Sequence, residues 1–213
     1  MTRIAGHRIL RSRCCGATFA ERNYSSVNYS GAEFWTDGRI FAPLVPHNDG
    51  VRRCVCGCCF LIRNTDQIAA LPTDSIISPP EAAQCVPDAD TGALLASGIA
   101  DKEPLIVLRR RHWRHLNNPY RVVYRQHRKT DQSTFPTYEP TEAQRDNMSE
   151  LLGLLATEGA ADWLEVSELH RELGQPREAQ DALNRAGERE KDRIWMWQKI
   201  IDEGFTGPMR YRA

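Results

Sequence analysis

The sequence predicts an α+β chain, with a small β domain at the N-terminal end and an α-helical region at the C-terminal end. Three observations predict it. Six of the seven cysteines fall in two short clusters, Cys14-Cys15-Gly16 and Cys54-Val55-Cys56-Gly57-Cys58-Cys59. Between them, Phe34-Trp35-Thr36-Asp37-Gly38-Arg39-Ile40-Phe41 places aromatic and β-branched residues on both sides of an Asp-Gly pair, a hairpin pattern. From Thr141 onward, apolar residues recur at helical spacing.

Taken in order, residues 8–15 lead as an extended segment into the first cysteine pair, and Phe19–Tyr29 reads as a strand region. The Asp37-Gly38 pair suits a two-residue type I′ turn, because glycine accepts positive φ without a Cβ clash. Pro43 and Pro46 end the following strand, since neither can donate to a ladder. Val51–Cys54 leads into the second cluster, and Phe60-Leu61-Ile62 leaves it as a short strand. Knuckle, antiparallel strands, knuckle, strand is the layout of a zinc ribbon, so residues 1–63 form the first domain.

Residues 64–140 read as a connecting region, with Pro72, Pro79, Pro80 and Pro87 in its first part. Within it, 91–100 is helix-prone, and Leu105, Leu108, His112 and Leu116 share one helical face. Asn117-Asn118-Pro119 stops that helix, and 120–128 follows as a short helix or arm. Residues 141–213 are the helical tail. Thr141 caps its first helix, with Gln144 as the capping-box partner. Helices are expected over 162–173, stopped at Gly174, over 177–186, and over 190–203.

The chemistry-bearing residues are the cysteines. Clustered cysteines in a chain with no secretory signal point to metal ligands rather than disulfides. The expected cofactor is one structural zinc held by Cys14, Cys15, Cys54 and Cys56, with Gly16 and Gly57 each following the second ligand of a pair. Cys56 belongs to either pairing at the second cluster, and Cys59 in place of Cys54 stays open. Ser12 stands where an earlier cysteine would complete a wider knuckle. Cys85 is expected to be buried, and His7 to be solvated. The bland alternative is a set of buried reduced thiols without metal.

Formal charge cancels to zero but is segregated: residues 105–130 carry eight Lys/Arg and no acid, whereas 131–213 carry ten against seventeen Asp/Glu. Arg109, Arg110, Arg111, Arg114, Arg121 and Arg125 alternate with Trp113, Tyr120 and Tyr124, a composition that suits nucleic acid. The competing expectation is that these arginines pair with the acidic tail. Phosphate-binding glycine loops, nucleophile elbows and His-Glu-x-x-His are all missing, so the chain reads as no enzyme. With no apolar run of about 18 residues, no membrane span is expected and the cytoplasm is the default location.

Trp163, Val166, Ser167 and His170, then Ala179, Leu183 and Ala186 around the turn Leu173-Gly174-Gln175-Pro176, resemble one tetratricopeptide repeat. Lys191 replaces the closing proline of that pattern. The chain as a whole resembles a loose group of uncharacterised bacterial proteins. They join a ribbon bearing Cys14-Cys15-Gly16 and Trp35-Thr36-Asp37-Gly38 to such a tail, with Leu108-Arg109-Arg110 and Trp113 before Asn118-Pro119. The resemblance implies no activity. The function expected is therefore a non-enzymatic adaptor that binds a protein, with Trp195 and Trp197 on its last helix as partner-binding residues. They differ by about 200° around a helix, so one faces in and one out. The alternative is a nucleic-acid-binding accessory protein using 109–129.

Overall fold

A computed structural model describes residues 2–45, 50–73, 83–131, 134–157, 162–187 and 190–211. Pro46, Pro79 and Pro80 lie outside them. The fold is α+β: small antiparallel sheets first, then helices. Among the described residues, no helix is long and apolar enough to cross a membrane. The chain divides into two compact units, one of residues 1–32 and 41–108, the other of 33–40 and 109–213.

The first unit contains two three-stranded sheets. Strand β1 (Arg3–Arg11) lies between β2 (Thr18–Ser26) and β7 (Asp66–Leu71), antiparallel to both. Strand β5 (Val51–Cys54) lies between β6 (Cys59–Leu61) and β8 (Ala83–Cys85). The β1–β2 connection carries the first cysteine pair and the β5–β6 turn carries the second cluster. Val51, Cys59, Leu61, Val86, Leu94 and Leu108 form one core, to which helices α1 (Thr91–Ala96) and α2 (Lys102–Leu116) each contribute. The division between units falls inside α2, after Leu108. Arg52 is buried with its guanidinium on both carboxylate oxygens of Glu21, at 2.9 Å. A buried charge is tolerated only when paired in this way.

The second unit holds β3 (Glu33–Trp35), β9 (Arg210–Tyr211) and helices α3 (Asn118–Thr130), α4 (Glu142–Ala156), α5 (Trp163–Glu172), α6 (Pro176–Arg185) and α7 (Lys191–Asp202). β3 pairs antiparallel with β9, placing Phe34 opposite Tyr211 and Trp35 opposite Arg210. Its other neighbour is the short strand β4 (Ile40–Phe41). Thr141 and Gln144 form the capping box of α4. Asp162 caps α5 by accepting from the Leu164 and Glu165 N–H groups. Ser167 donates to the Ala179 carbonyl at 2.8 Å, and both residues are fully buried, as a small–small contact between antiparallel helices requires. Leu164, Leu183 and Trp197 form the core under α7.

The hairpin differs from the expected type I′ turn. The Gly38 N–H donates to the Trp35 carbonyl and the Trp35 N–H to the Arg39 carbonyl. Among the described residues, none other than glycine has positive φ, so Thr36 and Asp37 form the turn and Gly38, at φ +75°, takes the bulge position after it. The reason is Asp37. Its Oδ1 accepts the Arg39 N–H, its Oδ2 accepts from Arg121 and from Asn117 at 3.1 Å, and its carbonyl accepts from Arg114 Nε at 2.9 Å. Asn117 Nδ2 also reaches Glu172 Oε2 at 2.9 Å, which accepts from Trp113 Nε1 at 2.8 Å and Tyr138 Oη at 3.2 Å. Gln144 joins from α4 through Asn117 Oδ1.

Two predictions follow from this cluster. A Cβ at Gly38 would sit 2.7 Å from Arg114 Nη2 as well as demanding positive φ. Gly38→Ala should therefore destabilise the second unit by about 1–3 kcal/mol, and an unchanged melting curve would refute the turn geometry. Burial, then the nearby carboxylates of Glu168 and Asp37, push the Glu172 carboxyl up to about 8 from an ordinary 4.5. Because the folded pKa lies above the unfolded one, the stabilising proton is fully held below about pH 4.5. That stability is lost as pH rises toward 8, by at most about 1.4 kcal/mol per unit. Glu172→Gln should flatten this decline in thermal melts between pH 5 and 8; a parallel decline in the variant would show that Glu172 is ionised throughout.

Candidate metal centre

Each half of the centre is built by a tight turn. After β1, the Ser12 N–H donates to the Ala17 carbonyl at 2.9 Å and the Gly16 N–H to the Ser12 carbonyl at 3.0 Å. After β5, the Cys54 N–H donates to the Cys58 carbonyl at 2.8 Å and the Gly57 N–H to the Cys54 carbonyl at 2.9 Å. Gly16 and Gly57 have φ +73° and +89°, the region where other residues clash. Both glycines follow a cysteine whose sulfur then meets the backbone N–H two residues on: Ala17 for Cys15, Cys58 for Cys56. The two turns thus present sulfur in the same way.

They bring Cys14, Cys15, Cys54 and Cys56 together, with all four sulfurs within 4.8 Å of one another. Cys15 and Cys54 Sγ are 3.3 Å apart, and Cys14 and Cys56 Sγ 3.5 Å. A tetrahedron with metal–sulfur bonds of about 2.3 Å has sulfur–sulfur edges of about 3.8 Å, so this spacing fits one metal ion. Cys54 is buried and the other three are exposed.

The thiols also divide electrostatically. The Cys58 N–H, followed by the Cys14 thiol, lowers Cys56 to about 6, and the Ala17 N–H, followed by the Cys54 thiol, lowers Cys15. Cys14, whose sulfur turns toward the cluster, is raised to about 12 by loss of solvent and by hydrogen bonds to Cys56 and Cys54. Four thiolates at these distances repel; protons on some of them, or a cation among them, relieve that repulsion.

Ser12 is buried, donates to the Ala17 carbonyl at 3.1 Å, and places its hydroxyl 3.7 Å from Cys15 Sγ and 3.8 Å from Cys54 Sγ. Its position two residues before Cys14 was the only signal of this role. Cys59 packs in the first unit's core, and burial raises its thiol. Cys54, not Cys59, is therefore the partner of Cys56 in the cluster. Cys85 is exposed on β8, opposite Arg52, where burial was expected. His7 lies in β1, half-buried and outside the four-sulfur group. A cavity of about 220 Å³ lined by Arg53, Cys54, Val55, Gly57 and Gln84 opens beside the second turn.

The other residues singled out lie in the second unit. Arg110 grips Glu165 with two 2.6 Å bonds, Arg109 meets Asn147 and Glu150, and Arg111 is buried. Arg114 and Arg121 hold Asp37, and Arg125 holds Glu33 at 2.6 Å. Trp197 is buried and Trp195 is 65% exposed. Compared with models of known protein families, with curated proteins and with solved structures, the chain matches none.

The ligand assignment separates two variants. Cys54→Ser should abolish metal binding. Cys59→Ser should keep it while lowering stability by about 1–3 kcal/mol, since it puts a hydroxyl in an apolar core. Metal content measured on both decides the assignment, and metal retained by Cys54→Ser but lost by Cys59→Ser would reverse it.

Proposed function

We propose that the chain is a non-enzymatic, zinc-containing adaptor. Zinc bound by Cys14, Cys15, Cys54 and Cys56 fixes a ribbon-like β scaffold, and the helical region, with its tetratricopeptide-like hairpin of α5 and α6, engages a protein partner. The observation that carries the reading is the convergence of four thiol sulfurs from two turns some forty residues apart. Soft thiolates in a tetrahedral set suit zinc, and four protein ligands leave no open coordination position for a substrate. That supports a structural rather than a catalytic ion. Zinc would supply on the order of 10 kcal/mol of folding free energy to a small β unit.

The exposed Trp195 supports the partner reading, because tryptophan anchors are common at interfaces. The carboxylate pairing of Arg110, Arg121 and Arg125 supports it over a nucleic-acid surface on the same residues.

Protein purified without added metal should contain about one zinc per chain by elemental analysis. Cys56→Ser should lose it and unfold the first unit. A ratio near zero, with all thiols titrating freely in the folded protein, would refute the zinc reading. Trp195→Ala should leave the melting temperature unchanged and weaken crosslinking to a partner in native extract, whereas Trp197→Ala should lower the melting temperature. Equal destabilisation by both would remove the adaptor surface from α7.

A further inference from the structure

The sheet of β2, β1 and β7 turns one face inward and one outward. Leu10, Phe19 and Glu21 are buried on the inner face. Successive residues of a strand alternate between faces, and residues opposite one another share a face. The register therefore defines the outer face: Arg22 stands opposite His7, Ala20 opposite Ile9, and Thr18 opposite Arg11. Tyr24, two residues beyond Arg22 on β2, lies on the same face, opposite Ile4. Arg11 and Arg22 are exposed, and His7, Ile9 and Tyr24 are half-buried.

The charge of this face is unbalanced. The acid in register with Arg11 is Asp66, and Arg13 already grips it with bonds of 2.8 and 3.2 Å. The other acid of these three strands, Glu21, points inward and is held by Arg52. Among the described residues, neither Arg11 nor Arg22 has a carboxylate partner. Their rows lie about 13 Å apart along the strands, at roughly 3.3 Å per residue. Ile9 and Ala20 form an apolar floor between the rows, and the Tyr24 ring stands at the end beyond Arg22. Cations spaced along an apolar floor beside an aromatic ring suit a ligand whose negative charges repeat and whose uncharged parts are flat. An acidic peptide repeats the charge without the flat rings, and a duplex keeps its bases stacked inside.

We propose that the outer face of the β2–β1–β7 sheet binds single-stranded nucleic acid, with Arg11 and Arg22 on phosphates and Tyr24 against a base. This surface is separate from Arg110, Arg121 and Arg125, which carboxylates hold. It requires neither the zinc reading nor Trp195.

The test uses the full chain and the fluorescence anisotropy of a labelled oligothymidylate of about 12 nucleotides. Two phosphate contacts on a single strand should weaken binding about sevenfold between 50 and 200 mM salt. Arg11→Gln/Arg22→Gln should weaken binding at least about tenfold at the lower salt and remove most of that salt dependence. Tyr24→Leu should weaken it about tenfold with the salt dependence kept, and Tyr24→Phe, which keeps the ring, should bind as wild type. Lys199→Gln, at an exposed position of α7, should also bind as wild type. Melting curves of every variant are compared with wild type, so that loss of binding is not read from an unfolded chain. No binding at the lower salt, unchanged binding by the double arginine variant, or equal loss in Lys199→Gln overturns the proposal. Tyr24→Leu binding as wild type, or equal affinity for polyglutamate, would make the face a general anion surface and overturns it too. Tighter binding of the matched duplex overturns the single-strand assignment. Zinc content, measured on the same samples, keeps these outcomes distinct from a failure of the zinc reading.

Discussion

Four sulfurs within 4.8 Å of one another are the constraint on which the first unit depends. Thiols packed this closely cannot all ionise alone, and they lose solvent if they stay protonated. The backbone resolves half of the conflict by aiming one N–H at Cys15 and another at Cys56, which favours charge there. A metal ion bound among them would resolve the rest by making every sulfur a ligand. The two glycine turns, the buried Ser12 hydroxyl and the short ladder between β5 and β6 all serve to hold that spacing.

Charge is managed differently in the second unit. There the anion comes from a hairpin, and the cations come from α2 and α3. Asp37 stands between Arg114 and Arg121 and shares Asn117 with Glu172. Burial, with the carboxylates of Glu168 and Asp37 nearby, is why the Glu172 carboxyl keeps its proton to higher pH. Trp35 lies under Arg121 and Arg125, at 5.4 and 5.3 Å, so the aromatic residue of the hairpin and its acid engage neighbouring guanidinium groups.

What was legible in the sequence was local. The cysteine clusters announce themselves by spacing and by the glycine after each pair. The capping box of Thr141 and Gln144, the stop at Gly174 and the opposite faces of Trp195 and Trp197 all follow from helix geometry. What was illegible depends on partners distant in the chain. Nothing near Trp35-Thr36-Asp37-Gly38 says that its aspartate meets Arg121. Nothing in the sequence pairs Arg52 with Glu21, which are buried against one another. Strands β7 and β8 fall among residues that read as connection, because β7 is exposed along most of its length and shows no alternation.

The pairing of β3 with β9 sets an order in time as well as in space. The Met209 N–H donates to the Thr36 hydroxyl across 173 positions of chain. A ribosome adding about 5–20 residues per second needs roughly 10–35 s to travel that distance. Through that interval the hairpin has left the exit tunnel without the strand that completes its sheet. An unpaired edge is a template for pairing with other chains, so the nascent protein is at its most vulnerable to aggregation while this segment waits.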